Sequence, residues 1–350
     1  MNIIDHFIKV VSIASPSGKE QHISLYLQYW LTKKNFIFKV DAVGNIYATN
    51  GKKGTPLMLC AHMDTVQPGE HIHPVIKDGI IQSDGTTILG ADNKAALAAI
   101  LHAVESVPPE HALELLFTVK EETGGGVEHF PFTWIHAKKA LIFDSANPLG
   151  GIVLQSPSIY NFDIVFTGKS AHASTPKKGI NAFTPAFGAL AKLPTGTLDG
   201  GQTTINIGLI NGGTGINTVP NSIHIQGEVR SYSAVLFKKH LDAIKKTVIA
   251  FAKKQRVKVS FKLNGYCAGY THKKEYPFIN SLSTLLKKEG LIPVYHTHSG
   301  ISDANVLNAK GIQTINLADG VQNPHTLQEQ VKVKDLEQLS RIIQKCIREL

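Results

Sequence analysis

The chain has 350 residues, 43% hydrophobic and 18% charged, a length that points to two domains and a composition that excludes disorder. Its formal net charge of +9 invites a nucleic-acid reading, but the excess is local. Nine Lys and Arg residues lie between Lys238 and Lys262 against the single acid Asp242, with the pairs Lys238/Lys239, Lys245/Lys246 and Lys253/Lys254 at helical spacing. Leu241, Ile244, Val248 and Phe251 take the opposite face, so this is an amphipathic helix with a solvated basic side. No aromatic interleaving or nucleic-acid motif accompanies it.

In chain order, helices are expected near residues 2–13, 19–34 and 92–106, separated by strands near 45–49, 56–61, 113–119 and 140–143. That alternation predicts an α/β layer around a largely parallel central sheet. The pattern then changes. A strand at Tyr160–Phe166, a helix at Ala182–Leu193, strands at Thr203–Ile210 and Ser222–Ser231, the basic helix and the strand VKVSFKL follow. This is the order of a small α+β sandwich. Pro277–Lys288, Asp303–Lys310, Gln313–Leu317 and Lys334–Glu349 return to α/β style. One domain (1–156 and 266–350) is therefore expected to be interrupted by another (157–265).

The N-terminus MNIIDHFIKVV reads as an amphipathic first helix without a secretory leader. The longest apolar stretch, around Ala95–Val104, is too short to span a bilayer. Cys60, Cys267 and Cys346 are widely spaced and contain no CxxC pair. They fit a reducing, cytoplasmic compartment and argue against a thiolate zinc site.

The chemistry gathers just beyond the apolar runs. His62 and Asp64 follow PLMLC, Glu121 and Glu122 follow LELLFTV, and Asp144 follows ALIF. Asp92 opens a small-residue helix, and His325 follows the run Gln313–Leu317. Ligands of open α/β sheets collect at the carboxyl ends of the strands, so these side chains converge in one crevice. Two imidazoles beside several carboxylates would repel badly unless cations held them, which reads as a site for two metal ions. His62 and Asp64, two apart at a strand end, point to the same side, with Asp64 placed to orient the imidazole. Of the adjacent Glu121 and Glu122, one can bind metal while the other takes a proton from water. Gly124–Gly126 let the loop turn beneath them.

Together HMDTV (62–66), LGADNKAA (89–96), KEETGGG (120–126), LIFDS (141–145) and NPHT (323–326) resemble the five metal-site motifs of a co-catalytic zinc superfamily. It contains peptidase T, aminoacylases, succinyl-diaminopimelate desuccinylase and glutamate carboxypeptidases. TGKSAHAST (167–175), NGGTGINTVPNS (211–222) and GEVRS (227–231) resemble its inserted lid and dimerisation domain. HSGISDANV (298–306) is similar to the peptidase T-like version of the pocket floor.

The resemblance implies that Asp92 bridges two ions, with His62 and Asp144 completing one site and Glu122 and His325 the other. It makes Glu121 the general base and Asp64 the orienter of His62. It places His172, Arg230 and Asn217 on the substrate, the guanidinium of Arg230 suiting a carboxylate. Zinc is the expected metal, and a carboxylate-rich set also admits cobalt or manganese. The implied activity is a cytoplasmic metallo-exopeptidase that releases the N-terminal residue from short unblocked peptides, tripeptides above all. An amidohydrolase or dipeptidase acting on N-acyl amino acids would need the same metals and base. A homodimer paired through the lid domain is the expected assembly, with no nucleic acid or membrane partner. One departure stands beside the bridge: many relatives carry a second Asp where this chain has Asn93.

Overall fold

The computed structural model describes residues 1–107 and 110–350. The chain begins with α1 (Ile3–Val11), α2 (Gln21–Lys33), β1 (Ile37–Val40), β2 (Ile46–Thr49) and β3 (Leu57–His62). A hairpin of β4 (Pro74–Lys77) and β5 (Ile80–Ser83) leads to α3 (Ala91–Ser106), β6 (Leu113–Thr118), β7 (Lys139–Phe143) and β8 (Gly151–Ser156). Next come β9 (Ser158–Thr167), α4 (Phe183–Leu190), β10 (Gly196–Leu198), β11 (Thr203–Gly212), β12 (Ser222–Ser231), α5 (Ala234–Lys254) and β13 (Lys258–Cys267). The chain closes with β14 (Tyr270–Thr271), α6 (Pro277–Lys288), β15 (Val294–Thr297), α7 (Asp303–Ala309), β16 (Gln313–Leu317), β17 (Gln330–Lys332) and α8 (Val333–Glu349).

These elements form two compact units, one of Met1–Gln155, Thr271–His298 and Ser302–Leu350, the other of Ser156–Tyr270 with Ser299–Ile301. The short return at Ser299–Ile301 has no sequence signature. It falls inside the HSGISDANV motif, whose remainder belongs to the first unit.

The first unit is built on a nine-stranded sheet ordered β1-β2-β6-β3-β7-β16-β8-β14, with β15 also beside β8. Its centre, β6-β3-β7-β16, is parallel, whereas β1-β2, β2-β6 and β16-β8 run antiparallel. The sheet is thus mixed, parallel where it carries the site, and these outer pairings are antiparallel, while β15 runs parallel to β8. Every residue of β3 and of β6 is buried, so neither strand alternates, and the one acid within β6, Glu114, accepts from the Tyr47 hydroxyl at 2.7 Å. Helix α3 is buried almost all round, which its alanines permit because they pack closely and favour the helix. It shares one core with α1, α2, α6, α8 and the sheet.

In the second unit the antiparallel order is β10-β11-β12-β9-β13. Alternation puts Phe162, Ile164 and Phe166 of β9 beside Ile223, Ile225 and Val229 of β12 in a separate core with Ala186 and Ala189 of α4 and Leu241, Ile244 and Val248 of α5. The six paired lysines of α5 are exposed, as the amphipathic reading expects. Among the described residues no helix is long and apolar enough to cross a membrane.

One partly buried junction ties the first three helices. Glu105 on α3 accepts from Trp30 Nε1 on α2 at 2.9 Å, pairs with His6 Nε2 on α1 at 3.0 Å and meets Lys34 Nζ at 3.2 Å. Burial alone would raise the Glu105 pKa, but these hydrogen bonds prevail and hold it down at about 2, against 4.5. Burial lowers the pKa of His6 below 6.5 in spite of its bond to Glu105. Both groups bind protons less readily when folded, so both lend stability that is lost on acidification. For His6 the loss begins below pH 6.5, and for Glu105 it runs from pH 4.5 towards 2. Glu105→Ala should therefore lower unfolding free energy at pH 7 by about 1–3 kcal/mol. Denaturant midpoints measured for both proteins should converge as pH falls through the lower window.

Candidate metal centre

The carboxyl ends of β3, β6 and β7 deliver the predicted residues to one crest of the central sheet. His62 is the last residue of β3, Glu121 and Glu122 lie just past β6, and Asp144 directly follows β7. Asp144 is fixed through its backbone: its N–H donates to Asn316 Oδ1 at 3.0 Å, and Asn316 Nδ2 returns a bond to its carbonyl at 2.8 Å. Asn316 belongs to the neighbouring strand β16, which runs parallel to β7.

His62 is 2% exposed. Its Nδ1 faces the Asp64 carbonyl at 3.0 Å and the Asp64 carboxylate at 3.4 Å, so in the neutral ring this nitrogen carries the hydrogen. Its Nε2 lies 3.3 Å from Asp92 Oδ1 and 3.9 Å from Asp144 Oδ1. From the other side, His325 Nε2 lies 2.9 Å from Glu122 Oε1 and 3.4 Å from Asp92 Oδ2. The two oxygens of Asp92 thus address different imidazoles. His325, at φ 63°, is about half exposed.

The segment carrying Asp92 is not an ordinary helix start. Gly90 is left-handed at φ 68°, and a Cβ there would sit 3.1 Å from Thr65 Cγ2 and 3.2 Å from Ile72 Cδ1. Asp92 is extended at φ −82°, ψ 104°, so regular helix begins only after Asn93. On the opposing loop, a Cβ on Gly126 would lie 1.7 Å from the Val119 carbonyl oxygen, which excludes any side chain at that turn.

Asp64 does more than face His62. Its carboxylate accepts from Ser17 Oγ at 2.6 Å and from the backbone N–H groups of Glu121 at 3.0 Å and Glu122 at 3.2 Å. Ser17 carries no motif, and nothing in the sequence singles it out. Asp303 was also missed. It is buried at the start of α7, accepts from Thr118 Oγ1 at 2.5 Å, and burial lifts its pKa to about 6 despite that bond. Its place in HSGISDANV was the available signal. Glu329, four residues past His325, is another buried acid that motif reading passed over.

The ligating atoms of His62, Asp92 and Glu122 lie within 4.8 Å of one another, as do those of His62, Glu121 and Asp144. The second grouping puts Glu121, expected as base alone, within ligand distance. Burial and then the charge of Asp144 push the Glu121 carboxyl well above its usual range. Burial and the charge of Asp92 do the same to Asp144. Burial pulls His62 down, yet its bonds to Asp64 and Asp92 win and hold it well above normal. Bonds to Asp92 and Glu122 raise His325 to about 10. Burial and neighbouring carboxylates thus disfavour charge on Glu121 and Asp144, while the same carboxylates favour it on the two imidazoles. Inward-facing nitrogen and oxygen donors short of positive charge are a fitting set for divalent cations.

The remaining predicted residues lie in the second unit. His172 Nδ1 meets Ser174 Oγ at 2.7 Å, and its neighbour Ala173 donates to the Asn217 carbonyl at 2.9 Å, so exposed His172 and Asn217 are adjacent. Arg230 is engaged by Glu228, Nε to Oε1 at 2.7 Å and Nη2 to Oε2 at 3.1 Å, while Nη1 donates to the Ser299 carbonyl at 3.2 Å. The fork expected to await a substrate carboxylate is therefore partly occupied.

Comparison with known proteins agrees with this architecture. Residues 156–256 match the M20 peptidase dimerisation domain. The uncharacterized protein YqjE of Bacillus subtilis is 31% identical, the match covering 99% of this chain and 98% of that one. The solved structure of aminopeptidase PepT from Bacillus cereus superposes with a TM-score of 0.91 at 32% identity, covering 99% of this chain and 97% of the other. A tripeptidase from Staphylococcus aureus gives 0.92 at 28% identity with the same coverage. Likeness this even, running through both units and nearly end to end, makes the chain a member of the M20 peptidase family, a hydrolase of the peptidase T-like kind.

Proposed function

We propose that this protein is a two-metal aminopeptidase that releases the N-terminal residue from short unblocked peptides, tripeptides above all, with zinc as its metal. The observation that carries the reading is Asp92, one carboxylate facing His62 with Oδ1 and His325 with Oδ2. Asp92 would bridge the ions, His62 and Asp144 would complete one site, and Glu122 and His325 the other. When bound, the ions supply Lewis acidity that polarises a carbonyl and acidifies water. Glu121 is the proton carrier, taking a proton from the attacking water at its carboxylate and giving it to the departing amine. Asp64 holds the His62 ring by Nδ1 and the Glu121–Glu122 backbone by its N–H groups. The tripeptide preference is supported by the likeness to the PepT aminopeptidase and the tripeptidase. Buried free thiols at Cys60 and Cys346 support a cytoplasmic location.

The test is hydrolysis of a free tripeptide, the matching dipeptide and the N-acetylated tripeptide by zinc-loaded protein, with a chelated control. Cleavage confined to the free tripeptide and abolished by chelation is expected. Cleavage of the dipeptide or the acetylated form instead would move the assignment to a dipeptidase or amidohydrolase. For the base, Glu121→Ala should cut turnover by about 10²–10⁴-fold or more while metal content stays at about two ions per chain. Loss of metal would put Glu121 among the ligands.

His172 and Arg230 are proposed substrate contacts, yet they sit at opposite ends of one sheet. His172 pairs with Thr218 in an isolated bridge on the segments that leave β9 and enter β12, beyond the bond from Gly168 N–H to the Asn221 carbonyl. From Ser222 to Arg230 the strand β12 covers about 27 Å, at about 3.3–3.4 Å per residue. An extended tripeptide spans only about 10 Å. We infer that one substrate meets Arg230 of one copy and His172 of a second, so a homodimer is required for activity. The match to a dimerisation domain supports this. Co-expressed Glu121→Ala and His172→Ala chains, each inactive alone, should then recover about a quarter of wild-type activity through mixed dimers. Failure of any recovery would show that His172 serves its own chain.

A further inference from the structure

Glu329 is 1% exposed, and both its oxygens are spent on backbone. Oε2 accepts from Gly90 N–H at 2.7 Å and Oε1 from Asp92 N–H at 2.9 Å. Those amides precede the regular part of α3, so no helical carbonyl is available to them. Caps of this kind are usually supplied by the residue just before the helix. Here the carboxylate arrives from a segment 237 residues further along the chain.

That segment is a closed loop. Gln322 and Gln330 exchange backbone bonds at 2.9 and 3.0 Å, so its two ends are pinned together. Within it Thr326 Oγ1 donates to the Asn323 carbonyl at 2.8 Å and Glu329 N–H to the Thr326 carbonyl at 3.1 Å. Asn323 and His325 take positive φ, 53° and 63°. β17 starts at Gln330 and pairs with β5, which anchors the foot of the loop. His325 therefore rides on a loop whose base is fixed and carries Glu329. The same carboxylate grips the amide of Asp92, the residue that His325 faces.

We propose that Glu329 is a positioning residue for the metal centre, a staple that sets the separation of Asp92 and His325 by holding the Asp92 backbone to the His325 loop. The inference rests on the two-metal reading above. A residue of merely structural value would affect stability alone. A staple governs how the donor atoms of Asp92 and His325 meet one pair of ions.

The experiment titrates metal-free wild type, Glu329→Gln and Glu329→Ala with Co²⁺ alone, reading stoichiometry by equilibrium dialysis and ligand geometry from the visible spectrum. Leu339→Ala, a buried change on α8, serves as a stability control. Glutamine keeps one acceptor oxygen but turns an NH₂ group towards the second backbone N–H, so it tests the grip in a side chain of the same size. At least one Co²⁺ should bind about 10–100-fold more weakly in Glu329→Gln, with an altered spectrum. Glu329→Ala should be weaker still, or fail to fold, in which case the glutamine variant decides. Leu339→Ala should keep wild-type affinity and spectrum despite its lower thermal midpoint. Two ions bound with wild-type affinity and spectrum by Glu329→Gln overturn the staple, and so does an equal loss in Leu339→Ala. A wild type that takes up no Co²⁺ overturns the metal-centre reading and the staple with it, so the two failures are told apart.

Discussion

The crest of the central sheet depends on one electrostatic constraint: more carboxylates meet there than their surroundings can leave charged. Asp64, Asp92, Glu121, Glu122 and Asp144 converge with only two imidazoles in contact. Like charges a few ångströms apart with little water between them cost several kcal/mol per pair at an effective dielectric of about 20. Burial first, and neighbouring carboxylates second, push Glu121 and Asp144 up, while bonds to carboxylates raise both imidazoles. Such a site is frustrated by itself and relieved by cations. A parallel sheet is the scaffold that makes the convergence, because its strands all end on the same side.

Placing charges is only half of the problem; they must also be kept from moving apart. The structure does this with polar groups that bind backbone more than side chain. Asn316 grips Asp144 through both its N–H and its carbonyl. Asp64 grips the amides of Glu121 and Glu122 while also facing the His62 ring. Backbone is the stiffer handle, since a fixed Cα leaves a carboxylate only its own rotamers. One strand end therefore organises the loop after its neighbour, and His62 cannot shift without disturbing Glu121.

This explains what could be read from the sequence and what could not. The parallel core strands were legible because a strand buried on both faces is mostly apolar without alternation, as in LLF (115–117) and ALIF (140–143). The strand-end acids and imidazoles were legible because they interrupt such runs. The edge strand β1 and the outer strand β4 of the separate β17-β5-β4 sheet were not: both are short and largely exposed, and their residues carry little pattern. Ser17 and Asn316 were invisible for another reason. Their roles lie in bonds to partners 47 and 172 residues away, and no local spacing records those. In the second unit the alternation of β9 and β12 gave away the strands, but the separation of His172 from Arg230 follows from register, which requires the sheet itself.

The departure at Asn93 has a physical account in the same terms. Its side chain is fully buried next to Asp92, where Nδ2 donates to the Phe143 carbonyl and lies 3.5 Å from Asp144 Oδ1. An aspartate at this position would set a carboxylate against a carbonyl oxygen and against Asp144, whose charged form is already disfavoured by burial and by Asp92. It could persist only by holding a proton or by drawing on the positive charge of bound ions. The amide removes that demand, because its N–H group meets the acceptors directly. Its own Oδ1 is left without a hydrogen-bond partner, a cost of about 1–3 kcal/mol for a buried neutral acceptor. That is small beside the penalty of one more buried charge in this cluster. Asn93 therefore trades a modest unsatisfied acceptor for relief of repulsion at Asp144.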